Sequence, residues 1–327
     1  MEKIFIKIIF GTWLICLISV APSNATTYTV SNFNDMDGTT TTLRYYVEHS
    51  SNGDVINFNT GGTINLKTIL VITTRITIDG TTVSGYSAPT NVFVPDPSLG
   101  SLTVPFALQT PLVTINGSSY WDFNYAGGDF VALQIKSDGV TIRGLKITNA
   151  WQAIDDENFS TISYSSAVAS HIEECVLSAC WTGIEVDMPK VYIQRNYIGN
   201  NLADSKYPKG MARGILVGLE DYTFLGSNYE NGDVIGEDNM TVSGLTDGNM
   251  IQNCCFAGVE IYSGYSNKVS KNIIFHDANW GGLTSPPMGI RLIQPPAQAV
   301  VQAGNEGKKM PVLTAIHNSS YTYGGVF

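Results

Sequence analysis

Carboxylates and large aromatics recur at matching places along this chain. Asp155, Glu185 and Glu260 each follow a short apolar pair, in Ala153-Ile154-Asp155, Gly183-Ile184-Glu185 and Gly258-Val259-Glu260, and the same place holds Leu216 and Arg291 in Gly214-Ile215-Leu216 and Gly289-Ile290-Arg291. Two residues before each Gly or Ala stand Trp151, Trp181, Ala212, Phe256 and Pro287. An aromatic row beside an acidic row has the chemistry to stack a sugar ring and accept hydrogen bonds from its hydroxyls. An ordinary surface of solvated carboxylates and turn-packed aromatics has the same composition. Asp155, Asp156 and Glu185 also offer the oxygen ligands that Ca²⁺ takes, although acidic triplets such as Asp155-Asp156-Glu157 are common in loops. The binding candidates are therefore Trp151, Trp181, Asp155, Glu185 and Glu260, and the metal candidates Asp155, Asp156 and Glu185.

Other chemistries find little support. His49, His171, His276 and His317 have no zinc-ligand spacing, and no nucleophile elbow, phosphate loop or dinucleotide fingerprint occurs. His276-Asp277 is a lone pair of titratable groups, which surface turns produce more often than catalysis does.

Positioning such rows requires stacked strands. A first pattern, aliphatic-x-x-(Leu, Cys or Asn)-x-(aliphatic or Phe), occurs at Ile142-Arg-Gly-Leu-Lys-Ile147, Ile172-Glu-Glu-Cys-Val-Leu177, Ile193-Gln-Arg-Asn-Tyr-Ile198, Ile251-Gln-Asn-Cys-Cys-Phe256 and Val269-Ser-Lys-Asn-Ile-Ile274. The Gly-aliphatic pattern follows each in register, which reads as two strands per coil. Starts of the first pattern lie 30, 21, 58 and 18 residues apart, and the longest gap contains a further coil near Val234-Ile235. Variable periods near 20 residues mark a solenoid, in which each coil buries its apolar face only by stacking on its neighbours. A β-sandwich, the main competitor, predicts no such register.

Stacking at about 4.8 Å turns equivalent positions into columns. The fourth position of the first pattern gives Leu145, Cys175, Asn196, Cys254 and Asn272, where buried Asn would bond turn backbone and the next Asn. Cys175 and Cys254 there read as small buried fillers. Cys175, Cys180, Cys254 and Cys255 form an even set that an oxidising compartment would permit to pair, and the adjacency of Cys254 and Cys255 disfavours a bond between those two.

The chain is punctuated by composition into five parts. Residues 1–25 carry Lys3 and Lys7, an apolar run from Ile4 to Val20 and a small-residue site at Ser23-Asn24-Ala25, the features of a signal peptide cleaved after Ala25. Residues 26–84 alternate short β-rich runs with turns, save a helical stretch at Thr42 to His49, and read as an N-terminal cap with the first coils. Residues 85–130 hold Pro89, Pro95, Pro97, Pro105 and Pro111 and read as a loop-rich insertion or irregular coils. Residues 131–300 are the coils proper, and 301–327 a C-terminal extension, the start of a truncated further domain in one reading. Removing the signal takes two basic residues and one acidic from 18 and 28, leaving 16 against 27 and a formal charge of −11. That charge argues against nucleic acid and anionic lipid as partners, and no apolar run in the mature part is long enough for a membrane span. A secreted or cell-surface monomer is expected.

Thr42-Leu43-Arg44, Asn52-Gly53-Asp54-Val55-Ile56-Asn57-Phe58, Gly62-Thr63-Ile64-Asn65-Leu66, Ile76-Thr77-Ile78-Asp79-Gly80, the Asn196-Tyr197-Ile198-Gly199 turn, the Gly-Ile repeats and Gly304-Asn305-Glu306-Gly307 resemble bacterial secreted right-handed parallel β-helix proteins of the pectin-lyase-like superfamily, in the group that opens with an S-L-R-E-A-like motif. The resemblance implies an all-β, right-handed parallel β-helix with an N-terminal β-rich cap, in surface or secreted proteins mostly without an assigned reaction. The superfamily also contains polygalacturonases and pectate lyases. This sequence has Asp155-Asp156 but no His between glycines, and its basic Lys190 and Arg195 lie about a coil from Asp155. The expected function is accordingly a non-catalytic face for glycans or cell-surface polymers. The alternatives are a lyase or hydrolase of an acidic, uronic-acid polysaccharide with Ca²⁺, and a purely structural stalk.

Overall fold

The computed structural model describes residues 25–35, 38–89, 109–117, 130–157, 164–199, 211–218, 232–236, 247–262, 267–275, 288–292 and 316–320. The segment read as a signal peptide, apart from Ala25, lies outside these residues, as do His276, Asp277 and nearly all of 301–327.

Short runs rich in Ile, Val and Thr form strands, and every strand pairing is parallel, so each strand must be followed by a crossover to the next coil. The result is a right-handed parallel β-helix, the hand that parallel crossovers take. The sequence reading of two strands per coil is corrected to three. The first ladder runs through Thr27–Val30, Val55–Phe58, Thr77–Asp79, Thr141–Arg143, Ser170–Glu173, Val191–Gln194 and Val234–Gly236. The second runs through Gly62–Asn65, Val113–Asn116, Leu145–Thr148, Val176–Ser178, Tyr197–Gly199 and Met250–Gln252. The long strand Lys268–Phe275 joins these two into one continuous sheet, to which Ile316–Ser320 is added. The third ladder is separate: Leu70–Ile72, Val131–Ile135, Gln152–Asp156, Thr182–Val186, Met211–Val217, Cys254–Ile261 and Met288–Leu292. One apparent strand in the first sequence pattern was two, because a single residue between them turns the chain.

That residue adopts a left-handed conformation: Gly144, Glu174 and Arg195 at the first-to-second corner have φ of 65°, 55° and 59°. Asn149, Ala179 and Asn253 do the same at the second-to-third corner, with φ of 58°, 55° and 55°. Each non-glycine there costs about 1–2 kcal/mol, so something must hold the corners. At the first corner it is a column of amides. Asn196 Oδ1 accepts from the Cys175 N–H at 2.9 Å, and Asn249 Oδ1 accepts from the Asn196 N–H and Nδ2, both at 3.0 Å. Asn272 Oδ1 accepts in turn from the Asn249 N–H at 3.0 Å and Nδ2 at 2.8 Å. Each Nδ2 also donates to a backbone carbonyl, of Ile172, Ile193 or Ile235. The expected amide column therefore exists with one member corrected: Asn249 takes the place given to Cys254. Ile251 pairs with Ile198 and Ile274, not with Ile193, and Cys254 faces Met211 in the third ladder.

A second column, which the sequence reading missed, sits just before the first ladder. Asp54, Ser170, Asp233 and Asn267 accept from the N–H groups of Thr26, Val140, Val191 and Asp233 respectively, each one coil earlier. Between the columns lies the core, stacked files of Ile, Leu and Val such as Ile56, Ile78, Ile142, Ile172, Ile193 and Ile235. The thiols of Cys175, Cys180 and Cys254 are buried among them. Burial pushes Cys175 and Cys180 up to about 12, as fillers rather than reactive groups.

The N-terminal end is closed by the helix Leu43–His49, capped by the Thr42 side chain on the Tyr45 N–H. Its Arg44 makes a buried two-point pair with Asp35 and also donates to the Thr68 and Ile69 carbonyls. Within the stretch read as insertion or irregular coils, Val113–Asn116 pairs with Gly62–Asn65 and Leu145–Thr148 in the second ladder. Tyr86, at the start of the same stretch, donates to Glu174 at 2.8 Å, and Arg143 and Arg195 ion-pair with the same carboxylate.

Coils approach closely along the third ladder. A Cβ built on Gly214 would lie 2.5 Å from the Gly258 carbonyl oxygen and 2.7 Å from Ile251 Cγ2, inside any tolerable contact. Gly214→Ala should lower stability by about 1–3 kcal/mol, the usual cost of overpacking. A chemical-denaturation midpoint that stays unchanged would refute direct coil-on-coil contact at this point.

Candidate functional site

In the third ladder the register brings Ile154, Ile184, Ile215, Val259 and Ile290 into one file, and with them Gln134, Asp155, Glu185, Leu216, Glu260 and Arg291 into the file beside it. Strand alternation turns the isoleucine file into the core and the carboxylate file outward. Outward direction is not exposure, however. Asp155, Leu216 and Glu260 are buried, at 7%, 2% and 0%, while Gln134 and Glu185 are half-buried.

Alternation also separates two residues that the sequence placed together. Asp156 stands in line with Ile135, Val186, Val217 and Ile261 and points inward, 0% exposed, with neither carboxylate oxygen hydrogen-bonded. Asp155 and Glu185 share the outer face and are paired across adjacent coils, so Asp156 does not converge with them. Of the next outward positions, Glu157 belongs to the acidic triplet read from sequence and Asp187 was not singled out. With Asp155 and Glu185 they make a two-by-two carboxylate group spanning two coils. The signal for Asp187 was available, since it lies two residues beyond Glu185.

Hydrogen bonds and burial divide the labour within this group. Gln134 Nε2 donates to Glu157 at 2.6 Å and approaches Asp155 at 3.5 Å, Gln152 Nε2 donates to Glu185, and Lys136 stands 3.7 Å from Glu157. Burial, reinforced by Glu157, pushes Asp155 up to about 6. Burial, then Glu185, Asp155, Asp156 and Glu157, pushes Asp187 up to about 9, and its Oδ1 has no hydrogen bond. For Asp156 burial and then Asp233, Asp155 and Asp138 raise the value well above the carboxylate range. Among the described residues no group of three or more His, Cys, Asp or Glu side chains is arranged to hold a metal ion.

Trp151 and Trp181 stack on adjacent coils, centroids 5.0 Å apart and 12° from parallel. Phe256, 43% exposed, meets Trp181 edge-on at 5.9 Å. Both indoles are half-buried. Arg213, paired with Glu260 and lying over the Phe256 ring at 5.7 Å, closes the C-terminal side. Ala212 keeps the next place in the row, its N–H donating to the Trp181 carbonyl as that of Trp181 does to the Trp151 carbonyl, but it brings no ring; the register shift between Met211 and Arg213 sets Cys255 and Phe256 together opposite it.

The fold and this face define the chain as a right-handed parallel β-helix with polar and aromatic files on the outer side of its third ladder. No family model and no curated protein matches the chain. Among solved structures it is similar to one described as "a new PL6 alginate lyase complex with trisaccharide", with 12% identity, a TM-score of 0.34, and 76% of this chain and 54% of that chain covered. It therefore spans about half the length of that relative. Among the described residues no helix is long and apolar enough to cross a membrane.

Proposed function

We propose that the protein is a secreted or cell-surface β-helix that binds polysaccharide, or another cell-surface polymer, without turning it over. The observation that carries this reading is the half-exposed Trp151 and Trp181 pair flanked by Gln152, Glu185 and Gln134 on the same face. Aromatic rims with amide and carboxylate neighbours suit sugar rings, whose apolar faces and hydroxyls need both. The charged groups nearby are engaged with one another, Arg213 with Glu260 and Lys136 with Glu157, which favours holding a ligand over moving protons in it. Glycan-array binding should fall about tenfold in Trp151→Ala and in Trp181→Ala, with no sugar released. Undiminished binding in both variants would refute the reading.

One observation favours a second reading. Asp155, with its value near 6, and Glu185 on the next coil are two carboxyl groups in unlike environments, the arrangement that divides acid from base in glycoside cleavage. Release of reducing or unsaturated ends from uronic-acid polymers, tested with and without Ca²⁺ and abolished by Asp155→Asn, would put catalysis first.

A further inference from the structure

We propose that the outer face of the second ladder is a separate docking surface for an uncharged, hydroxyl-rich polysaccharide laid along the solenoid axis, across the strands. Its outward positions in four successive coils are Thr63 and Asn65, Thr114 and Asn116, Lys146 and Thr148, Val176 and Ser178. In the next coil Tyr197, already buried, follows Val176 in its file and donates to Gln252 Oε1 of the neighbouring file at 2.7 Å. No outward position described in this ladder is Asp or Glu, in a chain with 28 of them against 18 Lys and Arg. The other two faces differ: the third carries Asp155, Glu157, Glu185 and Asp187, and the first carries Asp79, Arg143 and Glu173.

The hydrogen-bonding groups on this face are aligned rather than merely present. Asn149 Nδ2 donates to Asn116 Oδ1 at 2.7 Å, and Asn116 Nδ2 donates to Asn65 Oδ1 at 2.6 Å, a relay running one way up the stack. It ends on Asn65, which is exposed, as is Thr63 two residues before it. Thr148 and Ser178 continue the row at 3.4 Å. Side-chain amides locked in this way lose little entropy on meeting a ligand, and their spacing is the coil spacing of about 4.8 Å. A polyanion would find only Lys146 as a cation here, and a polycation would find no carboxylate. A chain of neutral sugars matches donors and acceptors without either charge.

The test uses the full chain, retained on insoluble neutral β-glucan or on a calcium-polyuronate gel, with Thr114→Glu, Asn116→Ala, Lys146→Ala and Trp151→Ala in parallel. Neutral-glucan retention is expected to drop about tenfold in Thr114→Glu and Asn116→Ala, with Trp151→Ala unaffected. Thr114→Glu is half-exposed and outside the amide relay, so it reads the surface even should Asn116→Ala unfold. Three results would overturn the proposal: no retention on neutral glucan, retention that both variants leave intact, or retention on polyuronate alone that Lys146→Ala removes. Failure of the third-ladder reading would appear separately, as array binding indifferent to Trp151 and Trp181.

Discussion

Asn249→Ala is expected to destabilise the protein by about 3 kcal/mol, with a fall in the unfolding midpoint of roughly 5–10 °C. Asn249 is the middle amide of the corner column, fully buried, and its side chain closes four contacts at once. Truncation leaves the Asn196 N–H without its acceptor, and takes one partner each from the Ile193 carbonyl and the Asn196 and Asn272 amides. Each buried polar group so abandoned costs about 1–3 kcal/mol, and no water can enter without displacing the packed files beside it. Asn249→Asp separates the roles: the acceptor to Asn196 stays, while the donors to Ile193 and Asn272 are lost and a buried charge is introduced. It should be at least as damaging as alanine. In a solenoid the harm is local, so amide exchange should rise first at Asn196, Asn249 and Asn272 and least near the helix Leu43–His49. A variant with native midpoint and native exchange at these amides would show that the column is decoration.

Asp156→Val should do the opposite and raise stability at neutral pH by about 2 kcal/mol or more. Val186 and Val217 already occupy equivalent places one and two coils further on, so the new side chain meets a file built for it. The wild-type carboxyl has no hydrogen bond, and after burial the charges of Asp233, Asp155 and Asp138 raise its value further. The sign of the pH effect follows from the direction of the shift. A carboxyl raised in the folded state binds its proton more tightly there than in the unfolded chain. Its contribution to stability is complete below the ordinary value of 3.8 and is lost as pH climbs toward the folded value. Asp155 adds a loss that ends near pH 6, and Asp187 one that ends near pH 9. Wild-type stability should therefore decline between pH 4 and pH 9, and Asp156→Val should flatten that decline. Melting curves at pH 5, 7 and 9 measure both, and a variant less stable than wild type at pH 7 would show that Asp156 has a partner which the structure lacks.

The solenoid was legible because its apolar residues are pinned by position. Ile154, Ile184, Ile215, Val259 and Ile290 each precede a polar or variable residue and follow a small one, and that register survives loops of any length. The corners were not legible. A left-handed Glu174 or Arg195 has no signature of its own, since either residue is ordinary on a surface, and the conformation is imposed by amides one coil away. The misplacement of Cys254 has the same root: Ile251 to Phe256 imitates the first pattern, and only pairing with Ile198 and Ile274 reveals the offset. At the candidate site the columns read from sequence set Trp151 beside Trp181 and Asp155 beside Glu185, and the register has the same two pairs. The sequence reading failed on Asp156 because three acids in a row suggest one cluster, whereas a strand distributes consecutive side chains to opposite sides. Burial of Asp155 and Glu260 was likewise out of reach, because covering is decided by distant segments.

The hydrogen bonds between coils all run along the long axis of the molecule, while the covalent chain winds across it. A polymer anchored at the two ends would thus load the coil junctions in series, and the whole would be only as strong as its poorest junction. The pairing shifts between Met211 and Arg213 and again between Ser270 and Ile273. Stretched by its ends in an optical trap, the protein should lengthen in steps of one coil.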